Sequence, residues 1–106
     1  MPKTPEGAVK EKVKALLHSR GCDCYYFMPV QSGYGAAGLD FHCVYRGRAF
    51  FIETKAKPKG KTPPKLTPRQ ALTQSDMVLA GARVFIVYDD ATLLEVKQWM
   101  EQVDLA

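Results

Sequence analysis

The chain has 106 residues, 46% hydrophobic and 25% charged, with a formal charge of +4. That length suits one domain around one core. The composition excludes a bilayer-spanning run, which needs about 20 consecutive apolar residues, and an apolar leader at the start. Three cysteines are an odd number and do not complete a disulfide framework, so an intracellular, cytoplasmic protein is expected.

In chain order, Thr4-Pro5 is a helix start, with Thr as N-cap and Pro at the first helical position. Val9, Val13, Leu16 and Leu17 recur at helical spacing with Lys10, Lys12 and Lys14 on the other side, and Gly21 ends the helix. Tyr25 to Val30 reads as a strand. Gln31 to Gly38 is a loop with Gly33, Gly35 and Gly38, but without the Lys-Ser/Thr of a phosphate loop. Residues 39–46 and 48–55 form a hairpin across Arg46-Gly47. Lys57 to Lys65 holds Pro58, Gly60, Pro63 and Pro64 and cannot be regular structure. Thr67-Pro68 opens a second helix running to about Gly81 through Leu72, Met77, Val78 and Leu79. Val84 to Tyr88 is a nearly continuous apolar run, the pattern of a buried central strand. Asp89 or Asp90 caps a last helix with Leu93, Leu94, Val96, Met100 and Val103 on its apolar side. The predicted order is α-β-β-β-α-β-α, in one domain spanning residues 1–106.

The hairpin register carries the chemistry. With Arg46-Gly47 as a two-residue loop, Tyr45 faces Arg48 and Asp40 faces Glu53. Side chains alternate along a strand, so Lys55 joins Glu53 on that face, with His42, Val44, Ala49 and Phe51. Phe41, Cys43, Tyr45, Phe50 and Ile52 then line the opposite, core-facing side. Like charges set directly across a strand pair are destabilising, and a divalent cation between them resolves the conflict. A one-residue slip in register would send the two acids to opposite faces. Two carboxylates and a backbone carbonyl are hard ligands suited to Mg²⁺ or Mn²⁺. Lys55 beside them can orient or deprotonate a water, or neutralise charge building on a phosphoryl group.

The net charge is unevenly spread. Residues 1–70 carry 13 Lys/Arg against 5 Asp/Glu, a net of +8, whereas residues 71–106 carry 2 against 6, a net of −4. Lys55 to Arg69 holds six basic residues and no acid. This asymmetry fits a face for a polyanion such as nucleic acid; a solvated lysine-rich loop has the same composition. Lys57, Lys59, Lys61, Lys65, Arg69, Arg46 and Arg48 are the candidate phosphate contacts. Tyr25, Tyr26 and Tyr34 can line a DNA channel, and Trp99 on the last helix fits core or dimer packing. Cys22, Cys24 and Cys43 with His18 and His42 lack the usual zinc spacing and read better as buried free thiols.

Gly38-Leu39-Asp40, the hairpin, Glu53-Thr54-Lys55 and then Leu66-Thr67-Pro68-Arg69-Gln70 together resemble the PD-(D/E)XK nuclease superfamily. Within it the pattern is most similar to the virus-type replication–repair nuclease (VRR-Nuc) domain, from about Glu6 to Tyr88. The resemblance implies an α/β, restriction-endonuclease-like αβββαβ core with a C-terminal helix and a mixed central sheet flanked by helices. It implies a Mg²⁺- or Mn²⁺-dependent DNA endonuclease with Asp40 and Glu53 as metal-binding acids and the Thr54 carbonyl as a further ligand. Lys55 resembles the catalytic lysine, and Glu6 the first-helix acid that reaches the metal directly or through water. Gln70 resembles the glutamine near the active site, although Thr67-Pro68-Arg69-Gln70 is also a capping box. Glu6, likewise, also suits the positive end of its helix. The superfamily's usual Pro before the Asp is Leu39 here. Standalone domains of the family are typically encoded by phages and bacteria, which implies the cytoplasm, that of the host where the gene is a phage's. They behave like Holliday-junction-resolving homodimers on branched DNA, and the apolar last helix is the candidate dimer surface. The alternative is a non-catalytic nucleic-acid-binding module that keeps the fold, separable only by metal-dependent turnover.

Overall fold

A computed structural model of the chain describes residues 4–29, 39–60 and 62–106. The glycine-bearing loop with Tyr34, and Lys61, lie outside the described residues. Helix α1 (Pro5–His18) starts where the sequence sets its cap, with the Thr4 hydroxyl accepting from the Gly7 N–H at 2.9 Å. The helix stops before Gly21, which has φ +61° and opens a 3-10 turn (Gly21–Asp23). Strands β1 (Cys24–Phe27), β2 (Phe41–Tyr45) and β3 (Arg48–Thr54) form an antiparallel run. Helix α2 (Pro68–Leu79) then crosses over to β4 (Arg83–Val87), which pairs parallel to β3, and α3 (Asp90–Leu105) completes the described order.

The hairpin register is the expected one. Tyr45 pairs with Arg48 and Phe41 with Ile52, so the next pair beyond the ladder is Asp40 and Glu53. The turn is tight because Arg46 (φ 49°) and Gly47 (φ 84°) both adopt left-handed backbone, the geometry that two-residue hairpins favour. Glycine does this freely, whereas Arg46 is held there by contacts. Its guanidinium reaches Asp23 at 3.3 Å and Asp104 at 3.2 Å and lies 5.8 Å from the centre of the Tyr45 ring.

The core forms on one face of the sheet. Phe41, Cys43, Tyr45, Phe50, Ile52, Phe85 and Val87 meet Val9, Val13 and Leu17 of α1 and Val96, Met100 and Val103 of α3. Trp99 joins from the rim, its ring 4.9 Å from Phe50 and 5.8 Å from Phe85, as core packing requires. Tyr45 is buried but keeps its hydroxyl satisfied by Asp104 at 2.5 Å, so the end of α3 is tied to the turn end of the hairpin.

Two expectations need correction, the central strand and the buried cysteines, and α2 is unusually exposed. The apolar run at Val84 to Tyr88 is not a central strand: the sheet order is β1-β2-β3-β4, and β4 lies at an edge of the described sheet. Its apolar character has a different cause, since α3 and α2 both pack against it and leave Val84 and Ile86 half-buried. Helix α2 buries none of its residues; Leu72, Val78 and Leu79 are exposed. The cysteines are not uniformly buried, because Cys22 is exposed and Cys24 intermediate, with only Cys43 inside.

Candidate active site

The C-terminal ends of the parallel strands β3 and β4, the start of α1 and the start of α2 converge at one corner of the sheet. Ligands of open α/β sheets gather at such strand ends. Glu6 arrives in the first turn of α1, Asp40 immediately before β2, and Glu53 near the end of β3. One carboxylate oxygen from each lies within 4.8 Å of the others. Among the described residues, the cysteines and histidines assemble no comparable group.

Two of these acids cannot both be ionised cheaply. Glu53 is only 3% exposed. Burial, its hydrogen bond with Asp40 and the Asp40 charge push its carboxyl up to about 8, with Glu6 adding in the same direction and Lys55 opposing. Burial also pushes Asp40 upward, but its hydrogen bonds with Glu53 and with Thr54, and the charge of Lys10, outweigh this and hold it below the usual carboxylate range. The pair therefore shares one proton, resident on Glu53, at neutral pH. The geometry of Asp40 is fixed by Thr54, whose N–H and hydroxyl both donate to Oδ2, at 2.9 and 2.7 Å. The Thr54 side chain is itself fully buried, so this clamp is rigid.

Lys55 extends from the same strand end, its N–H donating to the Val87 carbonyl at 3.0 Å. Its ammonium donates to Gln70 Oε1 at 2.6 Å. That same oxygen accepts from the Thr67 N–H at 3.0 Å, while Thr67 Oγ1 accepts from the Gln70 N–H at 3.1 Å. Gln70 is thus both the capping residue of α2 and the hydrogen-bond partner of the Lys55 ammonium.

Other candidates sit elsewhere. Arg46 and Arg48 lie at the hairpin turn, six residues from the acids along a strand, or roughly 20 Å at the rise of an extended chain. Arg46 is already committed to Asp23 and Asp104. Lys57, Lys59 and Lys65 are exposed on the loop that follows β3, and Arg69 is exposed at the start of α2. His42 is a partly buried sheet residue between the rings of Phe27 (5.0 Å) and Phe51 (5.1 Å), where burial lowers its basicity. Tyr26 turns toward the core side and meets His18 at 2.8 Å, whereas Tyr25 is exposed. The sequence reading passed over Lys10, whose ammonium stands 3.8 Å from Asp40 Oδ1. Its spacing of four from Glu6 was the available signal, since such residues share a helix face.

No protein-family model matches the chain, and no curated protein matches it. A solved structure described as a VRR_NUC domain is similar to it with a TM-score of 0.74 at 21% sequence identity, over 90% of this chain and 96% of that one. The mixed sheet and the helices of the described residues thus give this chain the fold of a VRR_NUC domain.

Proposed function

We propose that this chain is a divalent-metal-dependent nuclease that hydrolyses phosphodiester bonds in DNA. The observation that carries the reading is the set of three carboxylates within 4.8 Å, with a tethered lysine ammonium two residues beyond Glu53, just past the end of β3. Oxygen donors alone make a hard site suited to Mg²⁺ or Mn²⁺ rather than to a thiolate-seeking metal. Glu6, Asp40 and Glu53 would hold the ion, with the Thr54 carbonyl as a further donor. Such a cation supplies Lewis acidity at a phosphoryl oxygen and makes water a better nucleophile.

The chain's own residues do the rest. Thr54 orients Asp40 by donating to Oδ2, which turns Oδ1 away from Thr54. Glu53 must give up its proton to become a ligand, which ties metal binding to pH. Lys55, oriented by Gln70, stands ready to position the attacking water or to offset charge on the phosphoryl group. The lysines after β3 and Arg69 offer contacts to backbone phosphates.

Branched DNA is the substrate proposed, acted on by a homodimer. The apolar stripe of α3 is spent largely on the core through Val96, Met100 and Val103, which leaves little of it for a dimer contact. Tyr25, Phe27 and Val44 on the open face of the sheet are exposed apolar candidates. The test offers purified protein four-way, flap, nicked and linear DNA with Mg²⁺ and with Mn²⁺, beside Asp40→Ala and Lys55→Ala. Expected is chelator-sensitive cleavage, most rapid on branched DNA, that falls at least roughly 100-fold in both variants. Full activity in both variants would remove the site assignment, and sedimentation as a monomer with and without junction DNA would remove the dimer.

A further inference from the structure

Two lysines border the acid cluster, and they are tethered unequally. Lys55 is held by Gln70 at 2.6 Å, whereas Lys12, farther along α1, is paired away from the cluster with Asp90 at 2.9 Å. Lys10 reaches Asp40 Oδ1 at 3.8 Å, with 31% of its side chain exposed. The other oxygen of Asp40 takes both donors of Thr54, so Oδ1 is the oxygen without a Thr54 donor. It is also the one that Lys10 faces. A divalent ion drawn to this oxygen brings like charge against the ammonium in a half-buried site, where repulsion is poorly screened. The long flexible stem of lysine lets its head move away into water at small cost. Released there, its ammonium would be free to meet a phosphate.

We infer that Lys10 is a resident counter-ion that neutralises Asp40 until a divalent cation displaces it, after which it contacts a DNA phosphate. Metal binding and DNA binding then reinforce each other, and thermodynamic linkage makes the effect reciprocal. The inference rests on reading Glu6, Asp40 and Glu53 as metal ligands.

The experiment measures Mn²⁺ affinity by calorimetry, without DNA, for the wild type, Lys10→Met, Lys10→Gln, Lys12→Met and Asp40→Asn. It also measures DNA affinity against salt, with and without Ca²⁺. Both Lys10 variants should bind Mn²⁺ about 3- to 10-fold more tightly, as expected for losing a partly exposed competing charge, while Lys12→Met stays at the wild-type value. Addition of Ca²⁺ should steepen the salt dependence of wild-type DNA binding by about one phosphate contact, and should not do so in the Lys10 variants. A purely structural lysine would not give that metal-dependent change in slope. Unchanged or weaker Mn²⁺ binding in the Lys10 variants, or a slope change they retain, overturns the inference. The metal reading survives that result provided Asp40→Asn abolishes Mn²⁺ binding. Absence of Mn²⁺ binding by the wild type, or binding undiminished in Asp40→Asn, overturns both.

Discussion

Replacing Glu53 by Gln should make the metal-free protein more stable at alkaline pH while ending the proposed cleavage. Glu53 keeps its proton in the folded state up to about 8, against an ordinary value of 4.5. Between these two pH values the unfolded chain ionises the group and the folded chain does not. The folded state therefore holds more protons, and stability falls as pH rises through that window. At about 1.4 kcal/mol per pH unit the whole window sets a ceiling of roughly 5 kcal/mol. Asp40 recovers part of this, because its carboxyl is held low by the same shared hydrogen bond and by Thr54. A net gain of about 2 kcal/mol for Glu53→Gln at pH 8.5 is a fair central value, equivalent to roughly 10 °C in Tm for a chain of this size. Near pH 4.5 the two proteins should melt together, since both then carry a neutral side chain at this position. His42, which burial makes less basic, adds its own pH dependence, but equally to both proteins. The assay is a set of thermal melts in chelator from pH 4.5 to 9. Parallel profiles for the two proteins, or a less stable Glu53→Gln at pH 8.5, would refute the shared-proton account. Added Mn²⁺ should stabilise only the wild type.

Gln70→Ala should lose both the cap and the grip on Lys55, costing about 1 kcal/mol of stability together with most activity. Thr67→Ala should cost similar stability while leaving Lys55 held by Gln70, so a comparison of melts with cleavage rates separates the two roles. Equal loss of activity in both variants would count against a distinct role for the Lys55–Gln70 bond. Tyr45→Phe should destabilise by about 1 to 2 kcal/mol, because the hydroxyl of a buried ring loses Asp104. Denaturant titration reads this directly, with cleavage unchanged because the bond lies at the far end of the hairpin.

Much of the site was visible in the sequence because local rules determine it. Arg46-Gly47 accepts a two-residue turn, that turn fixes the register, and the register brings Asp40 to Glu53. The caps at Thr4, Thr67 and Asp89 were equally legible, since each side chain bonds an N–H three residues along. What escaped notice depends on tertiary packing. An apolar run such as Val84 to Val87 looks the same whether the strand lies inside a sheet or at its edge between two helices. The exposure of Leu72 and Leu79 could not be read from their helical spacing, which says which residues share a face but not whether anything covers it. The Lys10–Asp40 pair needed α1 to be docked across the sheet before it existed.

Because α2 has no fully buried residue, the hydrogen bonds at its first turn are a principal anchor of that helix, and one of them also steadies Lys55. The placement of Lys55 at the candidate site is thereby coupled to one of the more easily frayed parts of the molecule. Unwinding a single turn there would release Lys55 without disturbing the core, and faster amide exchange at Gln70 than in β3 would register that event.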